Sequence, residues 1–145
     1  MTPTGPETLS PPPRVLLTKI GLDGHDRGSR IVATTLRNAG MEVIYTPPWQ
    51  EITTVIKLAM QEDVDVIGIS SLATDHLLMP KFMAAMKEEG LDNVKVVVGG
   101  IVPDNEIDLV LESGVSRIFH PGVSNEEIVS DILKLASQAR DGGSM

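Results

Sequence analysis

The sequence predicts an α/β fold, a doubly wound parallel sheet of five strands in the order 2-1-3-4-5 with helices on both faces. Three observations lead there. Short apolar segments alternate with amphipathic, helix-length ones along the chain. Several apolar segments, such as "RVLLT" and "VKVVV", are apolar at consecutive positions, the mark of strands covered on both faces. The length, 145 residues, suits one domain of this kind and leaves no room for two.

Taken in order, "RVLLTK" (14–19) is the first strand, and the stretch from Ser29 to Asn38 is helical until Gly40 stops it. "EVIYT" (42–46) is the second strand, closed by Pro47 and Pro48. "EITTVIKLAMQE" (51–62) then places Ile52, Val55, Ile56, Ala59 and Met60 on one helical face. "DVIGIS" (65–70) is the third strand. The next helix is expected to be capped by Thr74 and closed by Gly90, with Pro80 in its first turn or at a kink. Met79, Met83 and Met86 fall on one face of it, a spacing that favours core.

"VKVVV" (94–98) is the fourth strand, expected to end at Gly99 and Gly100, and Pro103 opens a helix running to Gly114. "RIF" (117–119) is the fifth strand. The last helix starts with Ser124 as its cap and Glu127 three residues on, and "RDGGSM" is expected to fray. The arrangement is flavodoxin-like (Rossmann-like), which directs a ligand to the carboxyl ends of strands one and three, where the winding reverses. The expected boundaries are a disordered proline-rich leader over 1–13, a folded domain over 14–138 and a flexible tail over 139–145.

Composition removes several classes of function. A net charge of −8 without a basic stripe disfavours nucleic acid and anionic membranes. With no cysteine there are no disulfides, thiolate metal sites or Cys nucleophiles, and a cytoplasmic location is the default. The opening residues have neither the basic nor the apolar region of a secretory signal. Hydrophobic residues are 41% of the chain but aromatic ones only 3%, so the core must be largely aliphatic.

Three features fall at the carboxyl ends of central strands: "KIGLDGHDRGS" (19–29), Ser70-Ser71-Leu72, and Gly99-Gly100. Taken singly, a glycine pair lets a chain bend and a serine pair caps a helix. The loop is harder to dismiss. Asp23 lies two residues before His25, so in extended backbone the carboxylate can accept from one imidazole nitrogen while the other faces a ligand, with Lys19 near enough to keep Asp23 ionised. The glycine spacing matches neither a P-loop nor a dinucleotide fingerprint. A phospho-accepting receiver needs an aspartate where this chain has Ser70 and Ser71. His76 either caps a helix or faces the rim, His120 precedes Pro121-Gly122 in a loop, and scattered histidines make a poor zinc site. Trp49 is either a local plug or a protein contact.

Together, Asp23-Gly24-His25-Asp26-Arg27-Gly28, Ser70-Ser71-Leu72 and Gly99-Gly100 resemble the D-x-H-x-x-G, S-x-L, G-G signature of cobalamin-binding domains. The chain is most similar to the carboxy-terminal domain of methylmalonyl-CoA mutase and to separate small subunits of related acyl-CoA mutases. The resemblance implies adenosylcobalamin as cofactor, with His25 as lower axial ligand to cobalt and Asp23 and Lys19 behind it. It implies that Gly28 lets the backbone pass close to the corrin and that Gly24, Asp26 and Arg27 also contact the cofactor. Ser70 would hydrogen-bond the displaced benzimidazole, Leu72 pack beside it, and Gly99 and Gly100 leave space for the tail. The glycine-rich loop is expected to be loose until the cofactor orders it.

The same resemblance implies an isomerase inactive on its own, because a TIM-barrel large subunit carrying the acyl-CoA is missing from a chain of this length. Competing expectations are a cobalamin carrier or sensor, and a corrinoid methyl-transfer module. The last usually carries a helical cap domain, which the leader does not resemble.

Overall fold

The computed structural model describes residues 12–18, 27–46, 51–71 and 75–143, without the side chains of 27–29, 75 and 141–143. Expectations for residues 1–11, for the 19–26 loop, and for Trp49, Leu72 and Thr74 lie outside the described residues. The strands are β1 (Arg14–Thr18), β2 (Glu42–Tyr45), β3 (Val66–Ser71), β4 (Lys95–Gly100) and β5 (Arg117–Phe119). The helices are α1 (Arg27–Asn38), α2 (Ile52–Glu62), α3 (Met79–Glu88), α4 (Ile107–Glu112) and α5 (Asn125–Gly143). All strand pairs are parallel, and the sheet order is β2-β1-β3-β4-β5, as expected.

The unbroken apolar runs are explained by the two-residue period of a strand. Val15, Leu17, Val66, Val97 and Phe119 face one side, where Ala33 and Leu36 of α1 and Ile128, Ile132 and Ala136 of α5 cover them. Leu16, Ile67, Ile69, Val96 and Val98 face the other and meet Val55, Ile56 and Ala59 of α2, Met79, Phe82 and Met86 of α3, and Val110 of α4. The methionine stripe is therefore core, with Met83 partly buried beside it. No helix among the described residues is long and apolar enough to cross a membrane.

Several boundaries move for physical reasons. α3 does not start at Thr74: a 3₁₀ turn over Asp75–Leu78 comes first, and Pro80 falls in the first α-helical turn, where its missing N–H costs nothing. Behind Pro103 a 3₁₀ turn over Asp104–Glu106 likewise precedes the short α4. β4 does not stop before its glycines but includes both, pairing Ser70 with Gly99 and Ser71 with Gly100. The cap of α5 is as read, with the Glu127 N–H donating to Ser124 Oγ at 3.1 Å. At the start of the same helix, Arg117 of β5 ion-pairs with Glu127 and Asp131 while its guanidinium lies 4.7 Å over the Phe119 ring.

The ends are tied in more firmly than composition suggests. α5 continues to Gly143, and Ala139 is buried. Arg140 does not fray: it forks onto Asp65, Nε to Oδ1 at 3.1 Å and Nη2 to Oδ2 at 3.0 Å, and also donates to the Pro12 carbonyl at 3.0 Å. Asp65 in turn accepts from the Arg14 N–H at 3.0 Å, and the Pro13 carbonyl accepts from Glu42 N–H at 2.9 Å. Pro12 and Pro13 thus belong to the fold and not to a leader. A partly buried bidentate pair is worth far more than an exposed one. Arg140→Ala should lower the urea-unfolding free energy by about 2 kcal/mol with an unchanged slope, and Arg140→Lys should recover only part of it.

Candidate functional site

At the carboxyl ends of β1, β3 and β4 the chain builds a cleft between the sheet and helices α1 and α5, with a volume of about 330 Å³. Its walls are apolar: Leu17, Val97 and Phe119 from the sheet, Val32 from α1, and Ile128 and Ile132 from α5. Ile31, 57% exposed, forms an apolar lip at the mouth. Strand periodicity sends Gly68 and Ser70 of β3 to this face and Ile67, Ile69 and Ser71 to the other. Ser70 and Gly99 therefore converge on the cleft, and Gly100, the next residue along β4, borders it.

The two glycines of β4 do different jobs. A Cβ on Gly99 would meet nothing within 4 Å, so this residue keeps the cleft empty. A Cβ on Gly100 would stand 1.9 Å from the Ser71 carbonyl oxygen, and the residue has φ +121°, so only glycine fits. The Ser71 carbonyl in turn accepts from Ile101 N–H at 2.9 Å. Gly68 also lines the cleft, and a Cβ there would run into Leu17 Cδ2 at 2.6 Å. The sequence reading missed Gly68; a glycine inside an otherwise β-branched strand was the available signal.

On the opposite face the structure supplies a second unexpected arrangement. His76, 1% exposed, neither binds at the rim nor stands in solvent. Its backbone N–H donates to Ser71 Oγ at 3.0 Å, its Nδ1 lies 3.0 Å from the same oxygen, and its Nε2 lies 2.7 Å from Glu106 Oε1. A neutral imidazole protonated on Nε2 satisfies every group: it donates to the Glu106 carboxylate and accepts the Ser71 hydroxyl proton. His76 thereby ties the end of β3 to the turn before α4. No local signal announces this, because Glu106 is 30 positions from His76. At the other side of the rim, Thr46 Oγ1 and Thr18 Oγ1 are 2.7 Å apart, fastening the end of β2 to that of β1.

Of the remaining expected site residues, Arg27 and Gly28 are the first two residues of α1. Lys19, Asp23, Gly24, His25, Asp26 and Leu72 lie outside the described residues. His120, for which the sequence suggested no role, follows β5 immediately and lines the cleft.

A family model described as "B12 binding domain" matches residues 13–130, which takes in the whole sheet and all the cleft residues except Ile132. The chain belongs to the B12-binding domain family. It is 65% identical over 129 residues to the pivalyl-CoA mutase small subunit of Xanthobacter autotrophicus, covering 89% of this chain and 87% of that one. It is 39% identical over 127 residues to the 2-hydroxyisobutanoyl-CoA mutase small subunit of Aquincola tertiaricarbonis, covering 87% and 93% respectively. Among solved structures, a cobalamin-binding protein from Desulfitobacterium hafniense superposes with a TM-score of 0.73 at 21% identity, over 85% of this chain and 58% of that one, a likeness of fold. The family that the three-part signature implied is the family found.

The B12-binding domain owes its open cleft to Gly99 and its strand register to Gly100, so their substitutions should separate. Gly100→Ala should cost roughly 3 kcal/mol, whereas Gly99→Ala should stay within about 1 kcal/mol of wild type. Denaturant titration followed by circular dichroism reads both.

Proposed function

We propose that this chain is the cobalamin-binding small subunit of a two-chain, adenosylcobalamin-dependent acyl-CoA mutase that isomerises a branched acyl-CoA, of pivalyl type in preference to 2-hydroxyisobutyryl or methylmalonyl. The observation that carries this reading is the apolar cleft, held open by Gly99 at the point where the winding of the sheet reverses. Near-complete alignment with a pivalyl-CoA mutase small subunit supports the substrate class.

The described residues fit the nucleotide tail of the cofactor. An aromatic base needs a flat apolar slot with few polar groups, and here largely apolar walls enclose Ser70. A side chain at position 99 would fill that slot. In this reading Ser70 hydrogen-bonds the benzimidazole, Leu72 packs beside it, and Gly100 and His76 keep β3 and β4 in register beneath it. His25 would ligate cobalt, with Asp23 and Lys19 as the polar partners that set its tautomer, and Gly24, Asp26, Arg27 and Gly28 would contact the cofactor. An imidazole must be neutral to ligate, and a carboxylate partner raises its donor strength. When bound, adenosylcobalamin supplies a cobalt–carbon bond that breaks homolytically.

The chain's own task is to bind and orient that cofactor, and the other wall of a water-excluding chamber belongs to a large mutase subunit, a TIM barrel that holds the acyl-CoA. The net charge of −8 disfavours nucleic acid and anionic membranes as partners, and the cysteine-free composition suits the cytoplasm.

Two experiments test the reading. With cob(II)alamin bound, the electron paramagnetic resonance spectrum of wild type should show imidazole-nitrogen coupling that His25→Ala abolishes; unchanged coupling in the variant would remove His25 from the site. Asp23→Asn should weaken binding about tenfold. Mixed with adenosylcobalamin and a cognate large subunit, the chain should isomerise pivalyl-CoA, and neither subunit should do so alone. Tight cobalamin binding without isomerisation in any cognate pair would make it a carrier.

A further inference from the structure

His120 lines the cleft, and the proposed function gives it no role. Its ring nitrogen Nε2 is withdrawn from solvent and hydrogen-bonds to nothing among the described residues. A buried imidazole nitrogen without a partner is unfavourable, and in a native fold such a group calls for an explanation, of which a bound molecule is one. The main chain around it is fixed: His120 follows the last residue of β5, and the Val123 N–H closes a turn onto the His120 carbonyl at 3.3 Å, with Gly122 at φ +98°. Most of the remaining walls are apolar, with Ser70 and Asn125 the other polar side chains along the cleft, so a polar atom entering here finds few partners.

Strand register says which part of a ligand His120 meets. Ser70, Gly99 and Phe119 are paired across β3, β4 and β5 on one rung, so His120 stands one residue, about 3.3 Å, further toward the rim. A nucleotide tail entering from the rim leaves its corrin outside and carries its base deepest, to the level of Ser70 and Gly99. The ribose and phosphate linker then passes at the height of His120. These are the oxygen-rich parts of the tail.

Resting on the cobalamin-binding reading above, we infer that His120 Nε2 hydrogen-bonds the ribose–phosphate linker of the nucleotide tail, which makes His120 the residue that distinguishes a complete cobalamin from a corrinoid lacking its tail. Ser70 addresses the base and His120 the linker. The corrin itself is held elsewhere, so the two parts of the cofactor are recognised independently.

Equilibrium dialysis of the full chain against aquacobalamin and against diaquacobinamide, which has no nucleotide tail, tests this. His120→Ala should weaken aquacobalamin binding about tenfold and leave diaquacobinamide binding unchanged within about twofold, and His120→Gln, which keeps a donor, should recover much of the loss. In wild type, the His120 Nε2 nitrogen resonance should move on adding aquacobalamin and stay in place on adding diaquacobinamide. An unaltered affinity for aquacobalamin in His120→Ala, or equal weakening of both ligands, would overturn the inference while leaving cobalamin binding intact. Failure of wild type to bind aquacobalamin at all would instead overturn the cobalamin reading, and this inference with it.

Discussion

The cleft depends on a backbone contact that tolerates no side chain. Gly100 comes so close to the Ser71 carbonyl that a single methyl would overlap it, and its φ of +121° is one that residues with a Cβ rarely adopt. That contact lets β3 and β4 stay paired out to their last residues, so Ser70 and Gly99 stand side by side on the cleft floor. Had the strands separated one rung earlier, the pair would belong to two independent loops. The chemistry available at the rim is in this sense set by an absence of atoms.

The opposite face of the same strand end is held by polar groups. Ser71 uses its carbonyl to receive Ile101 and its hydroxyl to receive the His76 backbone, and the imidazole continues the link to Glu106. Each of these groups is satisfied, which makes a buried polar network favourable where a half-satisfied one would be costly. Two neighbouring serines thus divide the work: Ser70 faces the cleft, and Ser71 anchors the segment that presents it. The same division separates the histidines, since His76 has a partner on each ring nitrogen while His120 Nε2 has none among the described residues.

The fold was largely legible because its strands are short apolar runs punctuated by glycine and proline, a pattern whose signal is local. The signature residues Ser70, Gly99 and Gly100 were legible as well, and they do converge. What escaped were relations between distant positions. Arg140 reads as part of a frayed end because Gly142 and Gly143 follow it, yet its fork onto Asp65, 75 positions away, holds the helix in place. Glu106 is unremarkable until the turn before α4 is brought up to His76. Gly68 looks like a weak point in a strand until Leu17 is seen beside it. A one-dimensional pattern records which face a residue takes and says little about which neighbour it will find there.

The Arg140 fork has a further meaning for how such a module is joined to other things. By donating to the Pro12 carbonyl, Arg140 puts the place where the chain enters the fold within one hydrogen bond of the helix by which it leaves. Both lie at the amino ends of the strands, remote from the cleft. Entry and exit side by side are what a portable unit requires: it can be spliced to a larger polypeptide or circularly permuted through a short bridge, with the ligand-facing end left undisturbed.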